Sequence, residues 1–258
     1  MLFLLSPAKS LDFQMPAGEL SHTLPPFPAL SAQLIGVLRG KTPQQLSGLM
    51  GISDKLAALN AARYQAWSAR ASAKNAKQAL LAFNGDVYDG LAAASLGPED
   101  LAWAQQHLCI LSGLYGVLRP LDWMQPYRLE MGTALQVGEA ANLYQFWGPR
   151  IATHLNARLA ADTTPVVVNL ASQEYFRSVD RKVLKGRVID CVFEDWKGGR
   201  YKIISFFAKK ARGLMARFAI THRVNTPGQL ETFNLEGYGY DATASRPERL
   251  VFRRRISS

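Results

Sequence analysis

The sequence predicts an α/β fold of mixed α+β type, built as one compact domain over residues 1–258. Three observations predict it. Two short apolar runs, "LFLLS" and "PVVVNLAS", have the length and composition of buried strands. Segments of helical spacing lie between and after them. A Gly-Gly pair in "WKGG" separates two β-favouring stretches and marks a hairpin. With 258 residues, 48% of them hydrophobic and 19% charged, the chain can bury a core and is too apolar for a disordered segment.

Taken in order, "LFLLS" is a strand ended by Ser6-Pro7. Residues 16 to 28 are Pro-rich and read as loop. From Pro28 to Trp67 the spacing turns helical, with Leu30, Leu34, Val37 and Leu38 on one stripe, giving a helical insertion over about residues 28–80. "ALLAFNGDVYDGL" reads as a strand followed by an Asn-Gly turn. "DLAWAQQHLCILSGLYGVLRP" runs from helix into strand and stops at Pro120. "PVVVNLAS" is a central strand with a polar turn after it. "RVIDCVFED" and "RYKIISFFA" flank the "WKGG" hairpin, "AKKARGLMARFAITHRV" follows as a helix, and "RLVFRRR" closes as a strand or basic tail. No internal repeat or low-complexity linker divides the chain.

Charge narrows the partners. The formal net charge of +10 suits nucleic acid first and an anionic membrane surface second. No apolar run is long enough to span a bilayer. The five-residue run at the start lacks the basic leader and length of a signal peptide. Cys109 and Cys191 stand far apart in apolar surroundings, as buried reduced thiols of a cytoplasmic protein do. His22, His107, His154 and His222 show no metal-binding spacing, so neither a metal nor another cofactor is expected. "GVLRGKT" fails as a phosphate loop, since Gly36 leaves one residue too few before Gly40-Lys41-Thr42. "EGYGYD" lacks the third glycine of a dinucleotide fingerprint.

Residues Leu49-Met50-Gly51-Ile52-Ser53 fit the turn of a helix-hairpin-helix. In that device a glycine lets a phosphate approach the backbone, and N–H groups at the second helix's start hold it. Ser53 stands where the motif prefers glycine, yet it can cap the helix that follows. Leu56, Ala57 and Leu59 are the expected packing face, and Lys55 and Arg63 the expected phosphate contacts. An ordinary core hairpin is the alternative. Between Arg177 and Arg223 there are thirteen basic residues against four acidic ones. On the helix from Phe207 to Arg223, Phe207, Ala211, Leu214, Met215 and Phe218 share one side. Lys209, Lys210, Arg212, Arg217 and Arg223 share the other, a one-signed face suited to a phosphate backbone rather than to base sequence.

Three clusters can carry chemistry. Ser6 and Lys9 follow a strand's carboxyl end, where α/β folds place ligands. A lysine partly withdrawn from water there can serve as nucleophile or base. Arg128 and Glu130 are two apart and so share one face of a strand, with Leu129 and Met131 on the other. Asn169, Ser172 and Glu174 close the "VVVNLASQE" strand end. For each, an ordinary surface residue or ion pair is the alternative.

Seven blocks, in order, go further: "SPAKSLDF", "ISDKLAALNAAR", "AFNGDVYDGL", "LSGLYGVLRPLDWMQPYRLEMG", "LYQFWG", "VNLASQEYF" and "KIISFFAKKARGLMARFAI". Together they resemble the YaaA family of bacterial peroxide-stress proteins, from Met1 to about Tyr240. The resemblance implies a cytoplasmic protein that protects against hydrogen peroxide and limits free intracellular iron. It also implies a family-specific fold with a positively charged cleft, a helix-hairpin-helix and binding of double-stranded DNA. On this chain the hairpin matches Leu46 to Arg63, and the cleft's donors match Lys9, Arg119, Arg128, Lys209, Lys210 and Arg212. The resemblance brings no established reaction. With no Cys/His/carboxylate cluster suited to iron, the effect on iron reads as indirect. The leading expectation is a DNA-binding stress protein, with little base specificity. An enzyme on a small anionic or nucleic-acid substrate, using Lys9, Arg128 and Glu130, is the rival, and an iron-sequestering protein is third.

Overall fold

The computed structural model describes residues 1–14 and 20–255. Residues 16–19 of the predicted Pro-rich loop lie outside the described part. In chain order the elements are β1 (Leu2–Leu5), β2 (Ser10–Leu11), α1 (Pro28–Arg39), α2 (Pro43–Met50), α3 (Asp54–Ala66), β3 (Lys77–Gln78), α4 (Ala79–Ala82), β4 (Phe83–Asn84), α5 (Asp86–Leu91), α6 (Pro98–His107), β5 (Leu108–Ser112), β6 (Gly116–Leu118) and β7 (Trp123–Met124). Then come α7 (Leu143–Trp147), α8 (Arg150–Arg158), β8 (Val166–Asn169), α9 (Gln173–Phe176), β9 (Arg187–Lys197), β10 (Arg200–Lys202), α10 (Ser205–Thr221), β11 (Gly239–Tyr240) and β12 (Arg249–Arg254).

The central sheet runs β11-β12-β9-β8-β1-β5-β6, with β10 paired to β9. Its inner strands β12, β9, β8, β1 and β5 are all parallel, and β6, β10 and β11 add antiparallel edges. All four residues of β1 are buried, so both of its faces are covered, which is why its sequence is a continuous apolar run rather than an alternating one. Counting only parallel strands, the chain lays down β1 first, adds β5 on one side, and then crosses to build β8, β9 and β12 on the other. The order therefore reverses between β1 and β8.

Several local readings need correction. "ALLAFNGDVYDGL" is helix α4, a two-residue strand and helix α5, because Asn84-Gly85 starts a helix rather than a hairpin. In "RYKIISFFA" only Arg200–Lys202 is strand, and α10 begins at Ser205. Residues 127 to 130 belong to no strand.

Helices α5 and α10 cross with their backbones in contact. A Cβ on Gly213 would sit 1.8 Å from the Val87 carbonyl oxygen, and one on Gly90 would sit 2.2 Å from that of Lys210. This crossing sets the middle of α10, from Lys210 to Leu214, against α5 from Val87 to Leu91.

One partly buried group makes the fold sensitive to acid. The His154 ring packs edge-on to Phe27, and its Nε2 is buried with no hydrogen-bond partner among the described residues. Burial lowers its pKa from 6.5 to about 4, with Arg158 and Arg119 acting in the same direction. The unfolded chain therefore binds a proton that the folded chain rejects. Stability should fall as pH drops from 6.5 towards 4. Denaturant titrations across that window would read it, and His154→Leu should flatten the slope.

Candidate functional site

In open parallel sheets, ligands lie outside the carboxyl ends of the strands where the order reverses. At that place, beyond β1 and β8, the structure has a cavity of about 400 Å³. The two strand ends are tied together by serines. The Ser172 N–H donates to Ser6 Oγ at 2.8 Å, and the Ser6 hydroxyl faces Ser172 Oγ at 3.4 Å. The Ser172 hydroxyl also accepts from the Tyr175 N–H as the cap of α9. Buried Tyr88 donates its hydroxyl to the Ser6 carbonyl. These serines are engaged in holding the strand ends.

Glu130 organises the next layer. Its Oε2 pairs with Lys9 Nζ at 2.9 Å, and its Oε1 accepts from Arg128 at 3.0 Å. Arg128 and Glu130 thus meet as predicted although they lie outside any strand, while Leu129 and Met131 are buried. The Arg128 carbonyl accepts the Tyr64 hydroxyl, which fastens this segment to α3. The Lys9 side chain is 64% exposed and ion-paired, so it is not the desolvated lysine the sequence suggested and acts as a positioned charge. Glu174 lines the cavity and accepts the Gly132 N–H at 2.9 Å.

Helix α10 supplies Lys209 and Arg212 to the same cavity. Neither side chain has a hydrogen bond or carboxylate partner among the described residues. Burial lowers the Arg212 pKa from its ordinary value. The rest of the predicted basic face is committed elsewhere. Lys210 pairs with Glu236 at 2.6 Å and Arg223 with Asp100 at 2.7 Å. Arg217 donates to the Leu91 and Ala92 carbonyls and to Ser95. Local counting of charge missed these partners because they are remote in sequence.

Arg128 stands behind Glu130, outside the cavity lining, and two further candidates also lie outside it. Arg119 is held by buried Asp122, and Asn169 spans Asp190 and the Ala171 N–H. Conversely, Asn84, Gly85, Asp86 and Tyr175 line it and were not singled out. Helix α5 begins at Asp86, so the misread strand concealed Asn84, Gly85 and Asp86. The lining is mixed in sign: Lys9, Lys209 and Arg212 face Asp86, Glu130 and Glu174. Burial raises the pKa of both cysteine thiols, so neither is a reactive thiolate at neutral pH.

The predicted hairpin is two helices joined by a short turn. Thr42 and Gln45 form a capping box at the start of α2. Gly51 ends that helix in the left-handed region at φ 60°, and Ser53 caps α3 by accepting the Leu56 N–H. Ile52 is buried, while Gly51, Ser53 and Lys55 are exposed at the turn. The packing face of α3 is Ala57, Asn60 and Tyr64; Leu56 and Leu59 point outward, contrary to the sequence reading. Arg63 lies roughly 15 Å along the helix from the turn. It donates to Asn60 and lines a separate cavity of about 770 Å³.

The fold is α/β, a mixed sheet with a charged cavity at the reversal point, the place where such sheets commonly hold ligands. The chain belongs to the family described as peroxide stress protein YaaA, whose model matches residues 1–244. It is 72% identical over 256 residues to a UPF0246 protein of Paracidovorax citrulli (strain AAC00-1), covering 99% of each chain. It is 67% identical over 260 residues to one of Variovorax paradoxus (strain S110), covering 99% of this chain and 100% of that one. UPF0246 protein Bpet1601 of Bordetella petrii is 60% identical over 255 residues, with 99% and 100% covered. The family description assigns a role in peroxide stress. Among the described residues no helix is long and apolar enough to cross a membrane.

Proposed function

We propose that this protein serves peroxide resistance by binding double-stranded DNA. The exposed Gly51–Lys55 turn holds the backbone, and the cavity between β1 and β8 receives one phosphate-bearing unit. The observation that carries this reading is the uncommitted pair Lys209 and Arg212, placed with Lys9 at the sheet's reversal point. Two positive groups without internal partners lose little when a phosphate takes them, whereas a paired cation must first give up its carboxylate. The first-turn N–H groups of α3 have no carbonyl partner within the helix, and Lys55 stands beside them. Iron and peroxide together generate hydroxyl radical, which damages DNA, so a DNA-bound protein acts at the target of that damage, and any effect on free iron is indirect.

Duplex titrations over a range of salt test this. Log affinity should fall linearly with log salt, with a slope of about −0.9 per phosphate neutralised, and several contacts are expected. Gly51→Val should weaken duplex binding and cost about 1–2 kcal/mol of stability, because φ 60° strains any side chain although open space surrounds its Cβ. A flat salt response, or no binding at low salt, contradicts the reading.

A second reading, an enzyme acting on a small anion or on a nucleic-acid unit, is favoured by the mixed charge of the lining and by the Lys9–Glu130–Arg128 chain. Glu130→Gln weakens both ion pairs but removes a negative charge near the ligand. Duplex affinity should hold or rise. If peroxide protection of a null strain is nevertheless lost, chemistry is indicated; retained protection removes this second reading.

A further inference from the structure

We propose that the β9–β10 ribbon, with the start of α10, is a platform for an unpaired nucleic-acid strand. The inference rests on the nucleic-acid reading above but concerns a different surface. Gly198 and Gly199 both lie at positive φ, 65° and 81°, making the tight two-residue turn that matches strand twist. Lys197 and Arg200 face each other across it, and Trp196 faces Tyr201. The carboxylates nearest in sequence are already occupied: Glu194 by Arg253, and Asp195 by Arg254. Lys197, Arg200, Lys202 and Arg255 have no carboxylate partner among the described residues.

On the opposite face of the ribbon from Lys197 and Arg200, and at the start of α10, stand exposed apolar groups. Phe206 is 57% exposed and Ile203 58%, and Trp196 is also exposed. Single-strand binders combine such features, bases stacking on rings while cations follow the backbone. A membrane contact would use Trp196, the largest ring of the patch, as an inserting wedge. Trp196 instead is clamped edge-on by Tyr201 at 5.0 Å and covered by the Arg255 guanidinium at 4.8 Å, a rigid platform rather than a wedge. Phe206 and Lys209 are three apart on α10 and therefore neighbours on its surface. A strand crossing the ribbon is thereby led to the cation at the cavity mouth.

Fluorescence anisotropy with labelled oligothymidylate, and with a labelled duplex in parallel, tests this. Phe206→Ala should weaken single-strand binding roughly ten- to hundredfold with an unchanged salt slope. Lys197→Gln with Arg200→Gln should flatten that slope by about 1.4. Both changes are at exposed positions, and thermal melts should match the wild type. Duplex affinity should be unchanged in both variants. Failure of duplex binding with retained, Phe206-dependent strand binding would overturn the duplex reading and leave the platform standing. Undetectable binding of oligothymidylate by the wild type at low salt, or equal binding by wild type and Phe206→Ala, would overturn the platform. So would Phe206-dependent binding to phosphatidylserine vesicles without strand binding.

Discussion

Gly213→Ala should melt about 10 °C or more below the wild type. The new Cβ would lie 1.8 Å from the Val87 carbonyl oxygen and 2.8 Å from the Leu91 N–H nitrogen, both backbone atoms that no rotamer change can move. Relief requires separating α5 from α10, and overpacking that shifts backbone is among the few single changes costing about 4 kcal/mol or more. In a chain of this size each kcal/mol moves the melting temperature by about 2–4 °C. Gly36→Ala is the control. It is exposed in the middle of α1 with nothing within 4 Å of its Cβ, so it should stabilise by about 0.5–1 kcal/mol. A Gly213→Ala protein melting like the wild type would mean that α5 and α10 do not cross as described.

Replacing Lys209 and Arg212 together by Gln should nearly abolish function while sparing the fold. Neither residue leaves an orphaned carboxylate behind, and Arg212 is itself opposed by burial, so stability should hold or rise slightly. If each contacts one phosphate, the salt slope for duplex binding should flatten by about 1.8. Peroxide protection should fail in the same variant. The matched change of Lys210 and Arg217 to Gln should do the reverse. It would cost stability, through the lost Glu236 pair and the lost contacts to Leu91, Ala92 and Ser95, and leave the slope intact.

What the sequence disclosed follows the range of the interactions involved. Strands β1 and β8, the Gly198-Gly199 hairpin and most of α10 rest on local pattern and were legible. So was the nearness of Lys9 and Glu174, because residues just past parallel strand ends share one edge of the sheet; Glu130, outside any strand, joins them through its ion pair to Lys9. The reversal of strand order between β1 and β8 depends on pairing between distant segments, which periodicity does not encode. The same limit explains the basic helix. Its five like charges look uncompensated until Glu236 and Asp100 arrive from elsewhere in the chain. Leu56 and Leu59 mislead for another reason: on a short helix of low amphipathicity, small Ala57 and polar Asn60 can form the buried stripe, with Tyr64 bonding to Arg128.

The measurement closest to the central claim is a lysine-acetylation footprint of the native protein, read by mass spectrometry with and without saturating duplex DNA. Lys9 and Lys209 line the cavity and Lys55 flanks the hairpin turn, whereas Lys182 and Lys185 are exposed elsewhere. Duplex should protect Lys9, Lys55 and Lys209 and leave Lys182 and Lys185 as reactive as before. Protection of Lys182 and Lys185, with Lys9 and Lys209 unchanged, would contradict that claim.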